Sequence, residues 1–422
     1  MHSVTNAIPT GTIASIPAKA HAHRALICAA LATSPSTILL SRTSKDIDAT
    51  MDSLRGLGAH VVYENKIVTV TPGPAPAKGN VVPHESGTTL RLLLPVAASI
   101  CNDVDVDAKG RLPDRPLEPM LSEMKAHGVT FSQDKPPFTM MGRLQGGNFS
   151  MVGDVSSQFF SGLLLAAPQI GLSTITSTTP LQSSDYVTLT TETMRDFGVE
   201  VELTLPDTNI NEAFTVPFGA SFIGRDNYQI EGDWSNTAIW MVAAAMTGKP
   251  ITITGMNKNS VQADRRIMQV MIDVGCDVVW DGMNVTVTGR ASKPIHADLE
   301  QMPDMLPVMA ALACSISGES SFIKGARLRL KESDRLVAVA NLVRDLGGTV
   351  REEGDDLYII GSGILKGGHG DCVNDHRLVM AGTLMALISE NPITLQDSEA
   401  ITKSYPHFFE DWNLLGGNAQ PV

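Results

Sequence analysis

Leu57-Gly58-Ala59-His60-Val61-Val62 reads as the end of a helix, a glycine cap and the start of a strand. Glycine suits the position just past a helix because it tolerates the left-handed backbone that closes the last turn. The same junction recurs at His127-Gly128-Val129-Thr130-Phe131, Phe197-Gly198-Val199-Glu200-Val201, Val274-Gly275-Cys276-Asp277-Val278-Val279 and Leu346-Gly347-Gly348-Thr349-Val350, with a shortened form at Leu415-Gly416-Gly417. The step is roughly 70 residues each time and somewhat longer in the middle, the self-similarity of internal duplication. Solenoid repeats are usually shorter, about 20–50 residues, which argues against that architecture.

Each repeat carries a second helix that is apolar nearly all round, as in Arg24 to Leu31, Phe159 to Ala167 and Thr237 to Ala245. A helix with no polar face belongs in a core. Asn65-Lys66 and Asp281-Gly282-Met283-Asn284 separate alternating runs and predict hairpins. The unit is therefore α/β, with one exposed helix, one buried helix and about four short strands. Units of this size are too small to stand alone, and the longer middle step divides them into three plus three.

Composition narrows the function. The chain has 422 residues, 43% of them hydrophobic and 5% aromatic, and a formal net charge of −13. That acidity disfavours a nucleic-acid partner. An anionic substrate then requires its cations to be clustered. Cys28, Cys101, Cys276, Cys314 and Cys372 are scattered, with no CxxC pair, so neither a zinc site nor a disulfide framework is expected. Met1-His2-Ser3-Val4-Thr5 shows no secretory pattern, and runs such as Leu92 to Ala98 are too short to span a bilayer. A soluble cytoplasmic protein with no membrane partner is the expectation.

The polar clusters fall at the starts of the buried helices. They are Lys19 to Arg24, Glu85 to Arg91, Ser156-Ser157-Gln158, Glu231 to Ser235, Pro303-Asp304 and Asp375-His376-Arg377. Helix N-termini present free N–H groups and a positive dipole, which suits phosphate. Singly each is an ordinary cap; together they bring Lys19, Arg24, Arg91 and Arg377 to equivalent places. Lys331-Glu332-Ser333-Asp334-Arg335 adds the densest group of charges. It follows Ala326-Arg327-Leu328-Arg329-Leu330, whose alternation predicts a strand, and it opens a helix on which Lys331 and Arg335 stand one turn apart.

These blocks, with Gly110 to Pro116, Val155 to Gln158, Asn374 to Arg377 and Lys403-Ser404-Tyr405-Pro406, resemble the enolpyruvyl transferase family in its 5-enolpyruvylshikimate-3-phosphate synthase branch. They run in family order over nearly the whole chain. The resemblance implies a two-domain fold of six βαβαββ repeats, three about a pseudo-threefold axis in each domain, with buried helices and outer sheets. Domain one would comprise residues 1–15 and 227–422, domain two residues 16–226, with the active site in the interdomain cleft. The implied reaction moves the enolpyruvyl group of phosphoenolpyruvate to the 5-hydroxyl of shikimate 3-phosphate and releases phosphate. It is a step of chorismate and aromatic amino acid biosynthesis and a glyphosate target, and it needs no metal or organic cofactor. Family members are typically monomers.

By the same resemblance Glu332 is the proton donor, Asp304 the base, and Lys331 shares the proton traffic. Lys19, Gly87, Arg91, Arg115, Gln158, Arg335, Arg377 and Lys403 would bind phosphoenolpyruvate. Lys19, Ala20, Arg24, Ser156, Ser157, Gln158, Ser183, Tyr186, Asp304 and Lys331 would bind shikimate 3-phosphate. Two positions depart from the family pattern: Ala20 stands where a serine usually meets the phosphate, and Asp185 precedes Tyr186 where a basic or neutral residue is common. Losing a hydrogen bond to a charged group costs about 1.5–3 kcal/mol, and His21 and His23 are the neighbours able to replace it. The alternative reading is a divergent enolpyruvyl transferase acting on another phosphorylated cyclic alcohol. A non-catalytic phosphometabolite-binding protein would have no need of Glu332 and Asp304 together. A relative acting on a UDP-sugar uses a loop cysteine, and none lies near Gly110 to Arg115.

Overall fold

All six glycines of the repeated junction adopt positive φ: Gly58, Gly128, Gly198, Gly275, Gly347 and Gly416 lie between +87° and +104°. An L side chain is strained there, which accounts for glycine at these helix ends. The computed structural model describes residues 1–205 and 212–422. It divides into two units, one formed by Met1–Ile16 with Glu231–Val422 and the other by Pro17–Ile230.

The Pro17–Ile230 unit contains α1 (Lys19–Ala30), α2 (Lys45–Gly56), α3 (Gly87–Ile100), α4 (Met120–Ala126), α5 (Ser157–Ile170) and α6 (Asp185–Asp196). The other contains α7 (Trp234–Thr247), α8 (Ile267–Asp273), α9 (Leu306–Ser315), α10 (Arg335–Asp345), α11 (His376–Met385) and α12 (Phe408–Leu414). The odd-numbered helices are the apolar ones, and within each unit all three touch one another. Each unit keeps its own hydrophobic core.

Among the described residues six four-stranded sheets cover these helices, three to a unit. One repeat shows the pattern: Gly79–Val81, α3, Asp103–Val106, α4, Thr130–Phe131 and Phe138–Met141, in chain order βαβαββ. The first two strands pair in parallel and the rest antiparallel. Tight turns set the hairpins, with Asn65 and Lys66 both at positive φ and Asp281 paired with Asn284 across Gly282. The N-terminal segment completes two sheets of its unit. His2–Thr5 lies between Ile393–Gln396 and Asn418–Pro421, and Gly11–Ala14 pairs with Ile251–Thr254.

Ala326–Leu330 forms a 3-10 turn, not a strand. Lys324, at φ +60°, ends the preceding strand, and Arg329 turns back to Asp355 and Asp334. Only Leu328 of the turn is buried, so the alternation there reflects one anchor rather than a sheet face. As a result Lys331 is an extended residue ahead of α10, whose cap is Asp334, and it does not share a helical turn with Arg335.

The inner helices approach closely where side chains vanish. A Cβ on Gly162 of α5 would stand 2.5 Å from the Arg91 carbonyl oxygen and 2.9 Å from Pro95 Cγ of α3. Gly162→Val should therefore destabilise the protein by about 1–3 kcal/mol or more through overpacking. Gly282→Ala, where nothing lies within 4 Å of the added carbon, should cost about 1 kcal/mol through its positive φ alone. Urea denaturation of both variants checks the difference, and equal losses would refute the close-packing argument.

Candidate active site

In the unit carrying α7–α12, the starts of two inner helices and of the outer helix α10 gather charge. Asp304 sits on the 3-10 turn Pro303–Met305 that leads into α9. Asp375 caps α11, accepting from the Arg377 backbone N–H at 3.0 Å. Arg335 opens α10 and is 1% exposed. Its guanidinium reaches three carboxylates: Asp375 through Nε at 2.8 Å, Asp304 at 2.5 Å and Glu332 at 2.5 Å. Ser333 Oγ adds a bond to Asp375 at 3.0 Å.

Two more cations serve the same acid. Lys331 Nζ lies 3.2 Å from Asp304 Oδ1, and Arg377 donates to Asp304 Oδ2 at 3.5 Å. Lys403 is held nearby on α11's approach by the Asn374 carbonyl at 2.8 Å. Three cations thus face three carboxylates, the balance a buried ionic group needs. Burial pushes the Asp304 carboxyl up, but Lys331, Arg377 and Arg335 outweigh it and hold it well below the ordinary 3.8. Asp375 is likewise lowered, burial being overcome by Arg335 and His376. Burial brings the Lys331 ammonium down to about 8, with Asp304 opposing.

The Pro17–Ile230 unit holds a second set. Arg91 of α3 donates to Gln158 Oε1 at 3.1 Å and to the Pro116 carbonyl at 3.1 Å, with its guanidinium 5.6 Å above the Phe159 ring. Gln158 in turn donates to Thr88 Oγ1 at 2.9 Å. Arg115 packs on Gly87, where an added Cβ would meet its Nη1 at 2.7 Å. Arg91, Arg115, Gly87 and Gln158 therefore share one locale at the N-termini of α3 and α5. Ser156 caps α5, and Ser157 follows it, also buried.

The remaining residues of this set are engaged differently. Lys19 pairs with Asp46 at 2.8 Å. Arg24 is buried as a strut, donating to Thr190 Oγ1 and to the carbonyls of Ala20 and Tyr186. Ser183, at φ +55°, precedes α6, and Tyr186 lies in its first turn. Neither histidine beside Ala20 supplies a cation. His21 bonds Tyr228 Oη at 2.8 Å, and burial lowers it to about 4; His23 bonds Thr50 Oγ1 at 2.6 Å, and burial holds it well below the ordinary 6.5.

Sequence reading gave no role to Asp375, Ser333 or Asp46. Asp375 had a signal, since a carboxylate at a buried cap is available to a second donor. Asp46 had none, because nothing local ties it to Lys19.

The family model for EPSP synthase (3-phosphoshikimate 1-carboxyvinyltransferase) matches residues 7–412. A 3-phosphoshikimate 1-carboxyvinyltransferase of Clostridium kluyveri is 36% identical over 96% of this chain and 95% of its own. That of Methanocorpusculum labreanum is 35% identical, over 97% of each chain. The solved EPSP synthase of Acinetobacter baumannii superposes with a TM-score of 0.82 over 99% of both chains at 22% identity, a likeness of fold.

Arg335→Met leaves three carboxylates without their shared cation. It should cost about 3–5 kcal/mol near pH 7. Asp304 and Asp375 have folded-state values below 3.8, so their stabilisation is complete above that pH and is lost as pH falls through the folded values. The gap between variant and parent should then narrow at about pH 4 as the variant's carboxyls take up protons. Denaturation at both pH values measures it, and a constant gap would count against the charge balance.

Proposed function

The chain belongs to the EPSP synthase family, and on that premise we propose how its own residues carry the reaction. The chain transfers the enolpyruvyl group of phosphoenolpyruvate to the 5-hydroxyl of shikimate 3-phosphate and releases inorganic phosphate, a step of the shikimate pathway. In our reading Asp304 takes the proton of the 5-hydroxyl, whose oxygen bonds to C2 of phosphoenolpyruvate. Glu332 delivers a proton to the methylene carbon in the same addition. Loss of a proton from the resulting methyl group restores the double bond as the C2–O bond to phosphate breaks. Lys331, at about 8, is able to carry protons between these carboxylates near neutral pH.

The observation that supports this most is the convergence of Lys331, Glu332, Arg335 and Arg377 about Asp304. An acid and a base stand there with fixed guanidinium groups, the donors suited to phosphate and carboxylate. Arg335, Arg377 and Lys403, with Lys19, Gly87, Arg91, Arg115 and Gln158, are assigned to phosphoenolpyruvate. Lys19, Ala20, Arg24, Ser156, Ser157, Gln158, Ser183 and Tyr186, with Asp304 and Lys331, are assigned to shikimate 3-phosphate. Arg24 contributes by shaping, since its donors are spent on the protein. The five cysteines are free and buried, which accords with a reducing compartment. Action as a cytoplasmic monomer is part of the proposal.

One observation favours a second acceptor. Ala20 has no hydroxyl, and uncharged His21 points to Tyr228. A related phosphorylated cyclic alcohol, bulkier or less charged at that end, is therefore the competing substrate.

Mixing purified protein with both substrates should release phosphate and give the two vinyl proton signals of an enol ether in the proton NMR spectrum. Either substrate alone should give neither. Glu332→Gln and Asp304→Asn should each lower kcat by about 100-fold or more. Ala20→Ser should lower KM for shikimate 3-phosphate by about tenfold, the value of one charge-assisted hydrogen bond. No release with both substrates would overturn the shikimate assignment, and an unchanged KM in Ala20→Ser would remove the argument for a second acceptor.

A further inference from the structure

His23, Thr50 and Thr89 are wholly buried and take no part in the assignments above. They come from α1, α2 and α3 of the Pro17–Ile230 unit and lie in one chain of hydrogen bonds. His23 Nδ1 is 2.6 Å from Thr50 Oγ1, which is 2.7 Å from Thr89 Oγ1. Thr89 Oγ1 donates to Ser86 Oγ at 2.9 Å, with the Asp46 carbonyl of α2 as a second acceptor at 3.3 Å. Ser86 caps α3, accepting also from the Thr89 backbone N–H at 3.2 Å. The Asp46 carboxylate holds Lys19, at the start of α1, at 2.8 Å.

This chain of bonds has a direction. A hydroxyl has one hydrogen to give. Thr89 spends its own on Ser86 and Asp46, so it accepts from Thr50. Thr50, its hydrogen spent in turn, accepts from His23 Nδ1–H. Burial, with Lys19 and Arg24 nearby, holds the His23 imidazole well below 6.5, so the ring is neutral and carries a single proton. Nε2 is buried with no hydrogen-bond partner among the described residues, and a bare lone pair is tolerated there better than an orphan N–H. The reverse order would strand an N–H on Nε2 and take the Thr89 hydrogen away from the α3 cap.

We propose that His23 is a positioning residue for the start of α3: its Nδ1–H orders Thr50 and Thr89, and so sets the Ser86 cap that carries Gly87 and Arg91. The inference rests on the assignment of Gly87 and Arg91 to phosphoenolpyruvate. That helix start has little room to shift. A Cβ on Gly87 would meet Arg115 Nη1 at 2.7 Å, Thr88 accepts from Gln158 at 2.9 Å, and Arg91 donates to Gln158 at 3.1 Å. Without the histidine donor, Thr50 is free to accept from Thr89, and the cap loses that hydrogen. Arg91 and Gly87 then move with the first turn of α3, and small displacements of groups that hold a substrate are costly.

Two-bond proton–nitrogen correlation NMR of the unaltered protein with isotope-labelled histidine, assigned by the signal that His23→Asn removes, should place the His23 proton on Nδ1. A proton on Nε2 overturns this inference alone. Absence of phosphate release with both substrates would instead remove the functional reading on which it rests. Given release, His23→Leu should raise KM for phosphoenolpyruvate about tenfold. His23→Asn, whose amide N–H stands where Nδ1–H does, should keep KM within about twofold of the parent. Thr50→Val should also raise KM about tenfold, and the double variant no further, because both changes break one relay. A merely structural role predicts a lower urea midpoint with KM unmoved, or His23→Asn as impaired as His23→Leu, and either result overturns the proposal. Should His23→Leu fail to fold, an unmoved KM in Thr50→Val is enough to overturn it.

Discussion

A single guanidinium, that of Arg335, sits 1% exposed among Asp304, Glu332 and Asp375. No one of those contacts explains its burial; the three together do. An arginine out of water needs its charge matched and its donors filled, and the carboxylates need the same. Asp375 supplies the fixed side of the arrangement, since it is wholly buried and also caps α11. Glu332 and Asp304 are held on the other side, where Lys331 and Arg377 join them. Glu332, Asp304 and the cations beside them are thereby placed by one interaction.

The backbone makes that gathering possible. Three repeats in a unit bring three inner-helix starts to one locale, and those starts carry the polar residues because the rest of each helix is buried. Small residues let inner helices approach, as Gly162 of α5 does against Arg91 of α3. That approach also fixes Arg91 beside Gln158. Packing and the placement of these polar groups thus share residues, which is why the polar ends of apolar helices are the informative part of this sequence.

The architecture was legible because it repeats: a glycine required by positive φ leaves the same trace six times. The inner helices were legible from their lack of a polar face. Ala326–Leu330 was misread because five alternating residues fit a turn with one buried leucine as well as a strand. The motifs named Arg335 and Asp304, yet not their contact, for they lie 31 residues apart. Asp375 and Asp46 escaped assignment for the same reason, since each acts on a partner that only the fold brings near. Arg24 illustrates the converse, as its position in the motif gave no sign that its donors are used by the protein itself.

The most direct test of this account is equilibrium binding of phosphoenolpyruvate to an Arg335→Lys variant that also carries Glu332→Gln to prevent turnover, at saturating shikimate 3-phosphate. Lysine keeps the charge but cannot bridge Asp304, Asp375 and the side chain at position 332, so the geometry and not the charge is what changes. Relative to Glu332→Gln alone, affinity should fall by about 100-fold, the loss expected when the groups that Arg335 positions are displaced by about an ångström. Equal affinity in the two proteins would contradict the claim that Arg335 organises the site.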